Sequence, residues 1–290
     1  MTIETPVVRE ASVAAVDPRT VLVDLEMGRV RAAEPDPSVP GGWRVRSEVK
    51  TAILACFADR TTRDWTVGPF TFRDRVGVPP RDDLAGGPWR IVPGGSAVRR
   101  GAFLADGVVV MPPSYVNIGA WIGTDTMVDS HVLVGSCAQI GARVHLGAGV
   151  TIGGVLEPSG ARPVIVEDDT FVGAGSALLE GVLVQAGAVI GAGVTLMGTS
   201  RLYDLVRGRV LEGTASSPLI VPAGAVVVPG SRTLTGGSTD GPGGSRGRPA
   251  TFGRPATFAE VHGLSIAVAL LVKDRDANTS ARVALEGALR

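Results

Sequence analysis

The sequence predicts a mainly β protein built around a parallel β-helix, a solenoid of short strands wound from six-residue repeats. The repeat runs from residue 116 to 154, stops at EPSGARP, and resumes with VEDDTF. Each unit opens with an aliphatic residue; in the first block these are Val116, Ile122, Val128, Val134, Ile140, Leu146 and Ile152. Composition agrees, because 40 glycines and only 4% aromatic residues fit many tight turns better than a layered core.

Each six-residue unit supplies one short strand and one turn, and three units complete a triangular coil. The aliphatic first residue points inward, and stacked coils bury a continuous column in which each Val, Ile or Leu contributes roughly 1.5–3 kcal/mol. Glycines turn the corners, and adjacent coils lie about 4.8 Å apart. We expect this solenoid over residues 98–230.

Residues 1–97 do not repeat and predict a small α-rich or mixed N-terminal domain. Within SEVKTAILACFADR, Ser47 is a candidate N-cap. Apolar residues follow it at helical spacing: Val49, Ile53, Leu54 and Phe57. The earlier segment 13–34 predicts another short helix or strand. Pro- and Gly-rich pieces then lead into the solenoid.

The C-terminal part predicts a loop followed by a cap. Residues 231–262 are rich in Gly, Ser, Thr and Pro, with GRPATF duplicated, and predict a surface loop because they bury too little to order themselves. Residues 263–290 predict a strand–helix cap, with LSIAVALLV as a buried strand and SARVALEGALR as a terminal helix. Such a cap would cover the last coil, whose free edge otherwise invites aggregation.

Charge and cysteine content argue against several classes of function. The 28 basic and 28 acidic side chains balance, which leaves no electrostatic footprint for nucleic acid or a membrane surface. No stretch is long enough to span a bilayer, and the N-terminus has no targeting signal. Cys56 and Cys137 lack metal-site spacing and predict reduced thiols. A cytoplasmic protein is expected.

The residues around the first repeat block are more informative than the period. MPPSYVNIGAWIGTDTMVDSHVLVGSCAQIGARVHLGAGVTIGGVLEP closely resembles the tetrahydrodipicolinate N-succinyltransferase family of the lysine and diaminopimelate pathway. The likeness continues through PVIVEDDTFVGAGSALLEGV and VPAGAVVVPG, includes the upstream WRIVPGGSAVRRGAF, and spans about residues 40–290. A shorter N-acetyltransferase relative shares the VEDD and LEGV pieces but lacks the helical N-terminal domain.

The resemblance implies a fold, an assembly and an activity. Members of the family are homotrimers of left-handed parallel β-helices, with active sites between neighbouring subunits. They transfer succinyl from succinyl-CoA, a co-substrate rather than a tightly bound cofactor, to the amine of L-2-amino-6-oxopimelate, the opened form of tetrahydrodipicolinate. The implied mechanism is direct attack of the amine on the thioester, without a covalent enzyme intermediate.

Three residues match the site positions of the family. Asp129 (in TMVDS) and Glu180 (in LLEGV) match the catalytic carboxylates; Asp129 also binds substrate, and Arg90 (in WRIVPG) matches a substrate-binding arginine. A carboxylate near the amine can orient it and help take its proton. The two carboxylates of the substrate call for arginine forks, and glycine-rich turns offer backbone N–H groups to the thioester oxygen.

Each matched residue also has a structural explanation. Asp129 is second in its hexad, where short polar residues commonly form the corner. Glu180 interrupts an apolar run, an awkward place for a merely solvated charge, and Arg90 could simply anchor the interdomain linker. Other arginines that could meet a substrate carboxylate are Arg99, Arg100, Arg143 and Arg201.

The histidines are too few for a zinc centre, although a related solenoid carbonic anhydrase binds zinc through three of them. Only His131, His145 and His262 are present, and His262 lies beyond the loop. His145 ends its hexad, where outward polar residues are routine. Cys137 occupies a small-residue slot and is expected to pack rather than react. We therefore expect no metal.

Two departures from the family pattern leave alternatives open. Gly175 stands where an arginine is expected, so a positive charge is missing near the site. The C-terminal loop is longer and lacks an expected lysine; arginines that could replace it at the CoA phosphates are Arg232, Arg246, Arg248 and Arg254. The alternatives are a paralogue using acetyl-CoA or another amino-dicarboxylate, and a non-catalytic solenoid that binds a partner in its trimer grooves.

Overall fold

The structure, a computed structural model, describes residues 16–234 and 257–279. Its N-terminal part is mixed rather than α-rich, and a 3₁₀ turn spans Pro40–Gly42. The helices and strands before the solenoid are α1 Val21–Glu26, β1 Ala33–Pro35, β2 Trp43–Val45, α2 Ser47–Ala55, β3 Thr62–Val67 and β4 Phe70–Arg75. β1 and β2 pair antiparallel, as do β3 and β4.

The helix predicted after Ser47 forms, but its N-cap was predicted one residue too late. Arg46 occupies the cap position and Ser47 is the first helical residue, with no side-chain cap hydrogen bond. The apolar side of α2 packs against α1 and against Ile118 and Cys137 of the solenoid. The N-terminal domain therefore shares a core with the β-helix.

The solenoid begins before the expected residue 98. Its strands are β5 Arg90–Ile91, β6 Ala97–Val98, β7 Phe103–Leu104, β8 Val109–Val110, β9 Tyr115–Val116, β10 Trp121–Ile122, β11 Met127–Val128, β12 Leu133–Val134, β13 Gln139–Ile140, β14 His145–Leu146, β15 Thr151–Ile152, β16 Ile165–Val166, β17 Phe171–Val172, β18 Ala177–Leu178, β19 Leu183–Val184, β20 Val189–Ile190 and β21 Thr195–Leu196. After a short hairpin, β24 Ile220–Val221 and β25 Ala225–Thr233 continue it; the hairpin strands are β22 Arg201–Asp204 and β23 Arg209–Glu212.

These strands form three parallel sheets, the faces of a triangular prism. The first face contains β5, β8, β11, β14, β17, β20 and β25, the second β6, β9, β12, β15, β18 and β21, and the third β7, β10, β13, β16, β19 and β24. We number the coils from β5–β7 as coil 1, so that β11–β13 form coil 3 and β17–β19 form coil 5. The left-handed parallel β-helix expected from the sequence is confirmed.

The predicted inward column is also confirmed. All seven aliphatic residues that open the first block of hexads are fully buried, as are Val166, Val172, Leu178, Val184, Ile190 and Leu196 of the second block. Equivalent positions pair from coil to coil, so Ile140 aligns with Ile122 and Val166. One hydrophobic column thus runs the length of the prism.

The corners between faces are three edges of different character. We call the edge between the first and second faces the first edge, that between the second and third faces the second edge, and the remaining one the third edge. Corner residues adopt positive φ, mostly as glycine; the exceptions are Asp125, His131, Cys137, Arg143, Asp169 and Glu180. The N-terminal domain covers the third face, where Trp43 and Ala33 pack on Ile165 and Leu183.

The C-terminal segment 264–272 was predicted as a buried strand; the strand forms, but most of the predicted burial is wrong. After α3 Phe258–Val261, the strand β26 Ser265–Asp274 pairs antiparallel with β25 and parallel with β22. Only Ala269 and Leu271 are buried, because β26 extends the sheet past the coils and packs through one side. Most of the predicted loop 231–262 and the predicted helix 280–290 lie outside the described residues.

No helix in the described part of the chain is both long and apolar enough to cross a membrane.

Candidate active site

Asp129 turns the first edge in coil 3, directly after β11. Its backbone N–H donates to Leu146 O at 3.0 Å, and its carbonyl accepts from the Ser114 hydroxyl at 2.7 Å, so coils on either side fix the residue. The carboxylate is half-exposed; Oδ1 accepts from Ser130 N at 2.7 Å, and Oδ2 accepts no hydrogen bond from the described residues. One carboxylate oxygen thus remains available to a ligand.

Beyond Asp129, the first edge carries almost no side chains. The corners of coils 4, 5 and 6 are all Gly-Ala-Gly, at 147–149, 173–175 and 191–193. The third residue of each has a φ of about +70°, as at Gly175 (φ +68°). A Cβ on Gly175 would meet nothing within 4 Å. The missing arginine therefore leaves open space at this corner, and no lysine or arginine of the described residues turns the first edge.

Glu180 turns the second edge in coil 5. It has a φ of +53° and is followed by Gly181 at +75°, a tight pair of left-handed residues that projects the side chain outward. The residue is exposed, and its carboxylate accepts no hydrogen bond from the described chain. A non-glycine residue in this conformation is uncommon in proteins, although five other corners of this chain also carry one.

Glu180 lines a cleft of about 730 Å³, which we call the Glu180 cleft. One wall is the interruption of the solenoid, residues 157–162. A second is the segment 214–218 that follows the hairpin, and a third comes from the N-terminal domain through Pro40 and Trp43. Two glutamates, Glu157 and Glu180, line the cleft together with the hydroxyl-bearing residues Thr199, Thr214, Ser216 and Ser217.

Arg90 lies on the first face in coil 1, where it pairs with Val109. It is exposed, and no hydrogen bond or ion pair occupies its guanidinium within the described residues. The other candidate arginines are all paired: Arg99 with Asp74 at 2.7 Å, Arg100 with Glu26 at 2.8 Å, Arg143 with Asp169 at 2.7 Å and Arg201 with Glu212 at 2.9 Å. Among these five, Arg90 alone is free to bind a substrate carboxylate.

The structure brings two of the three predicted residues to one side of the prism. Arg90 and Asp129 both belong to strands or corners of the first face, two coils apart, which is about 10 Å along the axis. Glu180 stands on another edge, two coils further along. A single chain therefore does not bring Asp129 and Glu180 together.

The histidines and cysteines are not gathered into a metal site. Within residues 16–234 and 257–279, no three His, Cys, Asp or Glu side chains form a cluster that could hold an ion. His145, expected to face solvent, is buried beside Phe171, with ring centroids 5.1 Å apart. Cys137 is fully buried, and burial raises the pKa of its thiol to about 12, so it packs as expected.

Of the arginines expected near the CoA phosphates, only Arg232 lies in the described part of the chain, on β25. Arg246, Arg248 and Arg254 lie outside it.

Two cations that shape the Glu180 cleft were missed from the sequence. Lys50 interrupts the apolar pattern of α2, and Arg162 lies in the EPSGARP interruption. A lysine on the buried side of a helix and an arginine beside a break in the repeat are the signals that could have identified them.

Comparison with known proteins identifies the family of the chain. Residues 163–197 match the family described as "Hexapeptide repeat of succinyl-transferase". The 2,3,4,5-tetrahydropyridine-2,6-dicarboxylate N-succinyltransferases of Idiomarina loihiensis and Polynucleobacter asymbioticus are each 40% identical to this chain. The matches cover 94% of this chain and 88% of the first relative, and 93% and 87% for the second.

A solved Campylobacter jejuni structure, described as a 2,3,4,5-tetrahydropyridine-2-carboxylate N-succinyltransferase, is 19% identical with a TM-score of 0.46, over 72% of this chain and 58% of that one. Repeat and relatives together define an acyltransferase of the hexapeptide class. Within that class, the chain belongs to the 2,3,4,5-tetrahydropyridine-2,6-dicarboxylate N-succinyltransferase family.

Proposed function

We propose that the protein transfers succinyl from succinyl-CoA to the amine of L-2-amino-6-oxopimelate, in the cytoplasm, as a homotrimer. The observation that carries the proposal is a set of three charged groups, at positions matching the family, that lack ionic partners among the described residues: Asp129 with a free oxygen, Glu180 and Arg90. A scaffold would need none of them, and unpaired charges at corners do not stabilise a solenoid.

The proposed assembly follows from where the carboxylates stand. They occupy the two edges that bound the second face. On this face Tyr115 and Leu133 are each 37% exposed. Packing a second subunit over these apolar side chains would bury them and bring the edge of one subunit against that of its neighbour. Asp129 of one subunit and Glu180 of the next would then share a site.

The chemistry needs two proton losses from the acceptor nitrogen and one acyl transfer. The ammonium of the acceptor binds at the carboxylates and loses one proton, which a carboxylate takes and then passes to solvent. The free amine attacks the thioester carbon, the C–N bond forms, and the C–S bond breaks. The nitrogen loses its second proton as it becomes the amide, and the departing CoA thiolate accepts that proton. Arg90, as a planar fork, binds an acceptor carboxylate and orients the amine.

The Gly-Ala-Gly corners support a position for the acyl donor. Ala148, Ala174 and Ala192 sit at the middle of these corners, and their backbone N–H groups donate to no acceptor in the described chain. Fixed N–H groups of this kind can stabilise the oxygen of a tetrahedral intermediate. A long, flexible thioester could also lie along an edge that is free of large side chains.

The experiment is a thiol-release assay with purified protein. Succinyl-CoA and tetrahydrodipicolinate should release CoA, whereas acetyl-CoA should be a poor donor. Turnover with acetyl-CoA and not with succinyl-CoA would replace this proposal with the paralogue, which the uncharged edge at Gly175 favours. If no combination in a panel of acyl-CoAs and amino-dicarboxylates releases CoA, the non-catalytic solenoid is favoured.

A further inference from the structure

Lys50 is a buried cation that the proposed chemistry does not use. It lies on α2 of the N-terminal domain and is completely buried. Its ammonium donates to the carbonyl oxygens of Ala161 at 2.8 Å and Pro158 at 3.2 Å, and no carboxylate of the described chain pairs with it. Burial lowers the pKa of Lys50. A buried charge is costly unless hydrogen-bonded, and here both acceptors belong to the interruption of the solenoid.

Arg162, the residue after Ala161, continues the connection. Its Nε donates to Gly181 O at 2.8 Å, and its Nη2 donates to Pro218 O at 2.7 Å and Leu219 O at 3.2 Å. Gly181 directly follows Glu180, and Pro218 ends the hydroxyl-rich wall of the cleft. Burial lowers the pKa of Arg162 as well, and no carboxylate of the described residues pairs with it.

These contacts join two walls of the Glu180 cleft, the interruption and the segment 214–218, to the Glu180–Gly181 turn and to the N-terminal domain. We propose that Lys50 and Arg162 are positioning residues, which hold the interruption, the Glu180–Gly181 turn and the segment 214–218 in the arrangement that the reaction requires. The expected effect of these residues on the reaction rate rests on the proposed function. Their effect on the backbone around the cleft rests only on their hydrogen bonds.

The acceptors show why neutral side chains would not replace the two cations. The carbonyl oxygens of Ala161, Gly181 and Pro218 accept no other hydrogen bond within residues 16–234 and 257–279. Removing a donor would leave these carbonyls without a protein hydrogen bond, and each would move toward water. Since Ala161 and Pro218 line the cleft and Gly181 directly follows Glu180, the movement would displace Glu180 or its surroundings.

Arg31 provides a matched control. It also belongs to the N-terminal domain, it donates to Gln139 Oε1 of the solenoid at 3.0 Å, and burial lowers its pKa to about 10. It stacks over the rings of Trp121 and of Trp43, which also lines the cleft, but it donates to neither the interruption, the Glu180–Gly181 turn nor the segment 214–218. Arg31→Met therefore removes a half-buried interdomain cation without removing a hydrogen bond from the backbone of the cleft.

The first test is hydrogen exchange, which needs no activity. Ala161 N, Val182 N and Leu219 N donate within or beside the walls. We expect Lys50→Met to speed exchange at Ala161, and Arg162→Met at Val182 and Leu219, by about 10-fold or more because local opening becomes easier. Arg31→Met should leave all three amides unchanged. Equal exchange in all variants, or the same increase in Arg31→Met, would overturn the inference.

The second test is kinetic. With the assembly and Tm retained, Lys50→Met and Arg162→Met should each lower kcat/KM for the acceptor by about 10-fold or more, since small displacements near reacting groups are costly; Arg31→Met should stay within about 2-fold. Arg162→Gln, which keeps one donor, serves if Arg162→Met does not fold. If the wild-type protein does not transfer succinyl, the proposed function is wrong. The hydrogen-exchange result would still show whether Lys50 and Arg162 hold the backbone around the cleft in place.

Discussion

Asp129 and Glu180 stand on different edges of the same β-helix, Asp129 on the first edge in coil 3 and Glu180 on the second edge in coil 5. Two coils, about 10 Å along the axis, and the width of the second face separate them within one chain. Both lack a partner for at least one carboxylate oxygen in the described residues. A site that uses both must therefore combine two subunits.

Mixing two inactive variants tests this arrangement. Asp129→Asn and Glu180→Gln should each lower kcat by about 100-fold or more, because each removes a carboxylate that handles the proton. Refolding them together in equal amounts should restore about a quarter of wild-type activity, the fraction of shared sites at which one subunit supplies an unsubstituted Asp129 and its neighbour an unsubstituted Glu180. The measurement is thiol release from separated and mixed samples. Mixed trimers that stay inactive would contradict a shared site.

Arg90→Met should raise KM for the acceptor by about 10- to 100-fold with a smaller effect on kcat, because a charged hydrogen bond to a substrate carboxylate is worth about 1.5–3 kcal/mol. Arg90→Lys should recover only part of the loss, since an ammonium cannot form the fork. Arg201→Met, which removes an arginine already paired with Glu212, is the control. An unchanged KM in both Arg90 variants would return Arg90 to a structural role.

The inward column should dominate the free energy of unfolding. Ile140→Ala should cost about 2–5 kcal/mol, because the fully buried side chain is packed between equivalent residues of two coils and would leave a cavity. Leu205→Ala, at a hairpin residue that is 60% exposed, should change it by less than about 0.5 kcal/mol. Denaturant unfolding of both variants measures the difference, and similar costs would argue against the column.

Lys50 should make stability depend on pH in the alkaline range. Burial lowers its pKa below the usual 10.5, so between the lowered pKa and 10.5 the unfolded chain holds this proton more tightly than the folded one. Stability from this group therefore rises with pH across that window. Cys137 faces Lys50, but its pKa of about 12 keeps it neutral there.

The measurement compares wild-type protein with Lys50→Met. The free energy of unfolding of the wild type should increase relative to the variant as pH rises toward 10.5. A difference in the free energy of unfolding that stays constant, or that shrinks with rising pH, would show that folding does not lower the pKa of Lys50.

Most of the solenoid was predictable because its period is strict. The inward positions of residues such as Ile140 and Leu178 follow from counting six, and both are fully buried. The ends of elements were less predictable. Ser47 is not the N-cap of α2, the solenoid starts at Arg90, and β26 is buried through Ala269 and Leu271 alone, since its pairing with β22 and β25 depends on contacts far away in sequence.

The sequence predicted which residues form the candidate site but not where they lie relative to one another. Fourteen residues, not six, separate the inward Ile152 and Val166, and sequence alone does not say how many corners this interruption occupies. The edge on which Glu180 falls was therefore unknown. The hydrogen bonds of Lys50 and Arg162 were hidden for a similar reason, because their acceptors are backbone carbonyls, which no side-chain pattern marks.

The strand β26 gives the solenoid a definite length. A parallel β-helix is a template that could accept coil after coil, and its first face ends in an open row of backbone donors and acceptors at β25. By turning back antiparallel along β25 and then joining the hairpin of β22 and β23, β26 occupies that row and fills the place of the next coil with strands that are not part of the repeat. Extension of the first face by another coil is thus blocked by cover.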